Sequence, residues 1–597
     1  MTQIHNNHHQ QRHFSPEHKK RQGNSWIWLN AGAIALCIIL VTGLIGLIAV
    51  RGLAHFWPSD VLLGTYQAAN MWAKQSTDTL NKTNSSAKNS APVLLAGEPI
   101  NKKTSPANQL QSAGYVLDTE QTTYERLLLK TGNRDLYGID FIWILQDWLT
   151  DITYPENLVV IERMAWGNFY GFIRNMSIRT PANQEQPAGK FAHKSAWENL
   201  QQRIRQVEDT RKAIQKIEKR DIGTVNYQLE QLRLAEKRAR AANKAGRQDQ
   251  ITAEQEFYWQ QQTVSLEKEY QQLTTQLKQL RDQINQDYIT VTSADGIEKN
   301  IFLKNIQRIY QPNAMSLWQK LALYFTRIGE FITEDPREAN TEGGIFPAIF
   351  GTVLMVILMA ILVTPLGVIA AIYLHEYTKE NMISRFVRIA VNNLAGVPSV
   401  VYGIFGLGFF VYFIGGRVDA IFYAEALPSP TFGTPGLLWA SLTLAILTIP
   451  VVIVSTEEGL SRIPKSIREG GLALGATKTE VLWRLIIPMA SPGIMTGVIL
   501  AIARAAGEVA PLMLVGAVKL APNLAFDSQP PYLHLDRKFM HLGFHIYDVG
   551  FQSPNVEASR PLVYATAFLL ILIIVALNLL AIMIRNHLRE KYKTLES

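Results

Sequence analysis

Glu469-Gly-Gly-Leu-Ala-Leu-Gly475-Ala-Thr-Lys-Thr-Glu-Val-Leu-Trp-Arg-Leu-Ile-Ile-Pro488 separates two long apolar runs, 435–455 and 492–518. The stretch is polar at its start and amphipathic in its middle. Each flanking run reaches the roughly 20 residues that a helix needs to cross a bilayer core. Four more runs of that kind occur, at 26–50, 345–374, 391–415 and 561–584. Lipid offers a backbone no hydrogen-bond partners, so helices are the expected form. Pro365, Pro398, Pro450 and Pro511 lie within or near the ends of these runs. Neighbouring helices can re-satisfy the carbonyls that proline frees in a membrane. The fold expected is an all-α polytopic membrane protein with six spans.

Charge asymmetry orients it. Lys379, Arg385 and Arg388 follow the second run. Arg462, Lys465, Arg468, Lys478 and Arg484 follow the fourth, and Arg585, Arg589, Lys591 and Lys593 follow the sixth. All fall on the side of the N-terminal tail, residues 1–25, which ends in Lys19, Lys20 and Arg21. By the positive-inside rule this side is cytoplasmic, so the expected location is a cytoplasmic membrane with both termini inside. The first run is too long for the apolar region of a signal peptide, and no small-residue cleavage site follows it. It reads as an uncleaved anchor.

The 597 residues exceed one ordinary domain. A formal net charge of +8 fits the basic loops of a membrane protein better than a nucleic-acid surface. The single cysteine, Cys37, lies in the first apolar run, which excludes a disulfide framework and a cysteine-based metal site.

Residues 55–344 form a largely polar insert between the first two spans. Within it, 78–105 is rich in Ser, Thr, Asn and Lys and reads as a flexible linker. From 197 to 285 the pattern turns helical. Leu266, Tyr270, Leu273, Leu277, Leu280 and Ile284 alternate steps of four and three, as do Val225, Leu229 and Leu232. So narrow a seam predicts an antiparallel coiled-coil hairpin with a break at 243–247. Strand-like pieces flank it at 158–161, 169–173, 287–292 and 299–303, with Ala294-Asp295-Gly296 as a turn. The insert is thus expected to be α+β, a small β-rich unit carrying the hairpin. His193 is isolated, and His5, His8 and His9 lie in a polar tail; none reads as a metal site.

Two places could carry function. The fifth run holds Arg504 and Glu508, four residues apart, which on one helix would share a face and pair. Charges in membrane spans usually face a bundle interior or a water path. An arginine suits an oxyanion, whereas Glu508 would repel one, so a structural ion pair and a polar solute track both remain open. At the end of the fourth run, Ser455, Thr456 and Glu457 could bond a passing oxyanion or simply cap a helix. Gly470 and Gly475 have phosphate-loop spacing, but Ala476 stands where the lysine is required, so nucleotide binding is rejected.

Residues 341–584 resemble the permease subunits of bacterial ATP-binding-cassette importers. The 469–488 loop matches their E-A-A-x3-G-x9-I-x-L-P signature through Glu469, Gly475, Leu485, Ile487 and Pro488, with Gly470 and Gly471 in place of alanines. Within that family the chain is most similar to the A-type permease of the phosphate-specific transport system. The resemblance rests on Gly344–Ile349, Thr364-Pro365-Leu366-Gly367, His375-Glu376-Tyr377, Gly396-Val397-Pro398-Ser399 and Gly493–Leu512.

It implies a type I importer permease that conducts inorganic phosphate and is not itself an enzyme. ATP and Mg would sit on a cytoplasmic ATPase present in two copies. A second, C-type permease and a periplasmic phosphate-binding protein would complete the complex. The loop residues Glu469, Gly470, Gly471, Gly475, Ala476, Leu485, Ile487 and Pro488 would couple to the ATPase. Arg504, Glu508, Ser455, Thr456 and Glu457 would line the path. Val454 stands where many relatives carry arginine. A permease for another oxyanion, and a non-transporting scaffold or sensor that displays the insert, are the competing readings.

Overall fold

The computed structural model describes residues 20–66, 92–112, 121–177, 194–244, 251–337, 340–378, 381–527, 529–553 and 556–592. His5, His8, His9 and His193 lie outside them, as do Lys379 and Lys593. Six helices among the described residues are long and apolar enough to cross a membrane: Trp28–Ala54, Phe346–Tyr377, Ser399–Phe422, Leu437–Ser461, Lys478–Gly507 and Ser559–His587. The chain is a polytopic membrane protein.

Every span differs from its expected bounds, the third and the fifth most; the fifth already begins at Lys478, not at residue 492. The third begins at Ser399, not at residue 391. Val391–Leu394 end a separate helix, Met382–Leu394. The separation falls at Pro398, whose missing N–H and restricted predecessor interrupt a helix. The fifth ends at Gly507, and after a break at Glu508 and Val509 a short helix, Ala510–Val515, follows. Pro511 sits in its first turn, where proline is tolerated.

The bundle is built on small residues. A β-carbon on Gly493 would lie 2.7 Å from the Gly459 Cα, and one on Gly497 would lie 2.8 Å from the Ser455 Cβ. The fourth and fifth spans therefore cross almost backbone to backbone, as small residues allow in membranes. Gly403 likewise admits Pro511, with 2.7 Å between its would-be β-carbon and the Pro511 Cα. The core between the spans includes Met355, Met359, Leu444, Ala501, Ala505 and Leu512.

The insert contains two five-stranded antiparallel sheets. The first has the order β4-β3-β2-β1-β5, with β1 Leu62–Tyr66, β2 Val93–Pro106, β3 Thr123–Lys130, β4 Phe141–Leu145 and β5 Leu149–Thr153. The second has the order β10-β6-β7-β8-β9, with β6 Val159–Arg163, β7 Phe169–Ser177, β8 Tyr288–Ser293, β9 Glu298–Phe302 and β10 Ile306–Tyr310. The expected strands thus form one sheet, with the turn at Gly296 (φ 91°) joining β8 to β9.

The linker expectation fails over part of its range, because residues 93–105 belong to β2. That strand pairs with β1 through Val93–Gly97 and with β3 through Glu98–Pro106, with a register shift between Pro99 and Asn101. Its polar second half is paired but exposed, which is why it reads as linker. The rest of the expected linker, up to residue 91, lies outside the described residues.

Helices Lys194–Lys216, Ile222–Lys244 and Ala253–Ile284 rise from the second sheet. Leu200, Ile204, Val207, Leu277 and Ile284 are buried against its Val159, Ile161, Ile289 and Val291. Arg281 pairs with Glu218 across the two arms at 2.5 Å. One arm also touches the membrane bundle, where Arg238 pairs with Glu425 after the third span, and Lys219 meets Asp335 within the insert at 2.5 Å.

Candidate functional site

The 469–488 loop lies on the opposite face of the bundle from the insert, since an even number of spans separates it from the N-terminal tail. Helix Lys465–Ala473 ends at Gly475, whose φ of 87° suits glycine. Thr477 then caps the next turn in a reciprocal box with Glu480, and the chain enters the fifth span.

The expected loop residues divide into two groups. Glu469, Gly470 and Gly475 are exposed, whereas Gly471 is buried. A β-carbon on Gly471 would come within 2.9 Å of Val481, so this glycine makes the close contact and Gly470 faces open space. Ala476, Leu485 and Ile487 pack inward on a cluster of Ile372, Leu460, Ile463, Val481, Leu482 and Ile486. Pro488 is half-buried in the first turn of helix Ile487–Gly507.

What faces solvent is a group that the signature does not mention. Leu474 is 91% exposed, Trp483 66% and Leu472 48%. Large apolar side chains inside an otherwise polar connector were the available signal.

Arg468 fixes the loop to the bundle. Its Nη2 donates to Glu376 Oε1 at 2.9 Å and to the Leu460 carbonyl at 2.9 Å, and its Nη1 to the Ile463 carbonyl at 2.6 Å. The guanidinium thus satisfies carbonyls at the end of the fourth span and pairs with the end of the second. Lys478 Nζ donates to the Glu376 carbonyl at 2.7 Å and lies 4.3 Å from the Tyr377 ring centre. His375 Nδ1 is 3.0 Å from Glu376 Oε1. The His375-Glu376-Tyr377 stretch is therefore the seat of the loop, a role its sequence does not reveal.

Arg504 and Glu508 do meet, with Nε 3.6 Å from Oε1, but not on one continuous helix. Glu508 caps the fifth span in an extended conformation (φ −78°, ψ 131°), so the pair straddles a helix end. Both side chains are partly exposed. Thr456 is fully buried, and its hydroxyl has no partner among the described residues. Glu457 faces Arg388 at 3.6 Å. Ser455 abuts Gly497, seven residues before Arg504 on the same helix. At 1.5 Å per residue, that sets Arg504 about 10 Å farther along the span. The two expected path elements are consequently separate stations along one helix crossing and do not form a single cluster.

Between the fifth and sixth spans lies a buried polar cluster that sequence reasoning passed over. Asp548 bonds Asn340 Nδ2 at 3.2 Å and meets Lys519 Nζ at 3.1 Å. The His545 ring lies beside the Asn340 backbone, and Nε2 of His541 lacks a partner among the described residues. Burial drives the His545 imidazole down to about 4 and that of His541 to about 3, because the charged form loses its hydration. No group of three or more His, Cys, Asp or Glu that could hold a metal ion occurs among the described residues.

Comparison with known proteins places these features in a family. Residues 363–594 match the model for "Binding-protein-dependent transport system inner membrane component". The chain is 33% identical over 245 residues to the phosphate transport system permease protein PstA 1 of Mycobacterium tuberculosis, covering 41% of this chain and 71% of that protein. It is 32% identical over 250 residues to PstA of Yersinia pestis, covering 42% and 74%. The probable ABC transporter permease protein YqgH of Bacillus subtilis is 34% identical over 203 residues. That match covers 33% of this chain and 62% of YqgH, less than two thirds of its length. A solved structure of the MetNI methionine ABC transporter aligns over 40% of this chain and 94% of its own, at 17% identity and a TM-score of 0.30. The chain belongs to the binding-protein-dependent transport system inner membrane components, and is an ABC-transporter permease subunit with no catalytic role of its own.

Proposed function

We propose that this chain is the A-type permease subunit of an ATP-driven inorganic phosphate importer. The Mycobacterium tuberculosis and Yersinia pestis relatives are phosphate transport system permeases. One observation carries the mechanism. The 469–488 loop is seated on the bundle by Arg468, yet it leaves Leu472, Leu474 and Trp483 uncovered. Apolar side chains presented on a rigid seat are suited to a protein groove.

In this reading the seated loop is cytoplasmic, both termini lie on its side, and a dimer of ATPase subunits receives it. ATP and Mg reside on those subunits. Helix Ile487–Gly507 runs from the loop to Glu508, so a displacement at the loop reaches the Arg504–Glu508 pair through one rigid element. Ser455, Thr456 and Glu457 line the path nearer the loop, and a C-type permease supplies its other wall. A phosphate-binding protein delivers solute on the insert side, where the helical arms form an antiparallel coiled-coil hairpin.

The test is ATP-dependent uptake of radiolabelled phosphate in vesicles containing the chain with its partner subunits. Leu474→Asp combined with Trp483→Asp is expected to lower uptake at least tenfold at unchanged membrane level. Unchanged uptake would remove the coupling role. Sulfate in excess that competes as well as unlabelled phosphate would shift the substrate to oxyanions in general.

A further inference from the structure

The helix that precedes the second span, Leu317–Thr333, is amphipathic with the wrong side out for a protein in water. Trp318, Ala322, Phe325, Gly329 and Ile332 alternate steps of four and three, and all are exposed. Trp318 is 80% exposed and Phe325 67%. The helix has three charged residues, and each turns inward to an ion pair. Lys320 meets Asp60 at 2.5 Å, Arg327 meets Glu162 at 2.7 Å, and Glu330 meets Arg308. A water-facing helix shows its charges outward; this one hides them and shows an uncharged, aromatic stripe.

The position of the helix says what covers the stripe. Its C-terminal end is joined to the start of the second span, where Ile345 N donates to the Phe331 carbonyl at 2.8 Å and Phe346 N to the Glu334 carbonyl at 3.1 Å. Its inner face is joined to the end of the first span, with the Phe331 ring 5.0 Å from that of Phe56 and Tyr324 5.9 Å from Trp57. The first span ends at Ala54 and the second begins at Phe346, so both anchor points mark the same membrane surface. A helix fastened to two such points lies at that surface. The first span, to which the inner face is joined, likewise carries exposed apolar residues, Leu44 and Val50 among them.

We propose that Leu317–Thr333 is an interfacial helix whose Trp318–Phe325–Ile332 stripe is seated in the lipid headgroup and upper acyl region on the insert's side of the membrane. Trp and Phe on the buried face are what such helices use, and tryptophan favours this depth. The helix then fixes the base of the insert to the bilayer, while Arg327 and Glu330 on its other face hold the sheets.

The test uses the full chain, purified with the subunits that stay bound and placed in nanodiscs of phosphatidylethanolamine and phosphatidylglycerol. In a Cys37→Ser background, single cysteines at 318, 322, 325 and 329 carry a nitroxide. Leu36→Cys serves as the lipid reference and Tyr258→Cys on the helical arm as the water reference. The expected ratio of oxygen to nickel-chelate collision at all four positions is at least fivefold above that at 258. A ratio equal to that at 258 overturns the proposal. So does suppression of both collision rates, which would mean that a protein surface covers the stripe. Ala322 and Gly329 carry small side chains, so their variants decide the matter if Phe325→Cys fails to accumulate.

Discussion

Arg468 is the residue on which the loop depends. Five donors in a planar fork let it cap one span and pair with another at the same time, which lysine cannot reproduce. Arg468→Lys is therefore expected to lose most of the transport activity, at least fivefold, while the protein still reaches the membrane. Uptake together with limited proteolysis of the 465–488 region would report this, with faster cleavage as the structural readout. Glu376→Gln should give a smaller loss, because the amide still accepts one bond. The pairing was not legible in the sequence: Arg468 and Glu376 are 92 positions apart. Each is ordinary alone, a loop cation and a span-end acid. Glu469 and Gly475 were legible because a local turn and a local signature need only neighbours. The polar cluster at His545 was missed for a similar reason, since Asn340, Lys519 and Asp548 come from three separate segments.

Gly459, Gly493 and Gly497 set the contact between the fourth and fifth spans. Gly493→Val would drive two methyl groups into the Gly459 backbone. Overpacking of this kind costs about 1–3 kcal/mol, and a lower melting temperature in detergent would show it. The connection between the fifth and sixth spans has its own pH response. The folded pKa of His545 lies at about 4, below the usual 6.5, so its neutral form is the one that is folded. The unfolded segment binds more protons between these values, so stability is full above about pH 6.5 and declines as pH falls toward 4. His541, held lower still at about 3, adds to the same response, so hydrogen exchange at 540–550 is expected to accelerate over that window, and much less so when both His541 and His545 are replaced by Gln. Apolar length made the spans legible. Their ends were not, because the helix Met382–Leu394 runs up to the third span with apolar residues of its own, and Asn392, Asn393 and Pro398 are the local marks of the break. The first sheet was invisible because the outer half of β2, Asn101–Thr104, is paired yet exposed, and its polar residues read as linker.

Across the whole chain, the helical arms are pinned at two remote points, to the bundle by Arg238–Glu425 and to the segment before the second span by Lys219–Asp335. Cysteines at 238 and 425 in a Cys37→Ser background should form a disulfide under mild oxidation, seen as a mobility shift reversed by reductant. Failure to cross-link would mean that the arm stands away from the 424–426 turn. The division into six spans and an insert was legible because lipid and water impose opposite compositions. The pinning was not, since solvated arms and docked arms share the same polar surfaces.

The exposure of the first span has a consequence for how the chain is made. Its main protein neighbour is the sixth span, where a β-carbon on Gly52 would lie 2.8 Å from the Ala565 backbone. That neighbour emerges only after roughly 500 further residues have been made. At about 5–20 residues per second, the interval between the two is on the order of a minute. Throughout it the first helix waits in lipid without its partner while the insert folds. The uncharged run from Ile27 to Val50 is what makes that wait tolerable. Closure of Gly52 on the sixth span accordingly comes late in assembly, and a bulky residue there would stall it after the insert and the earlier spans had been made.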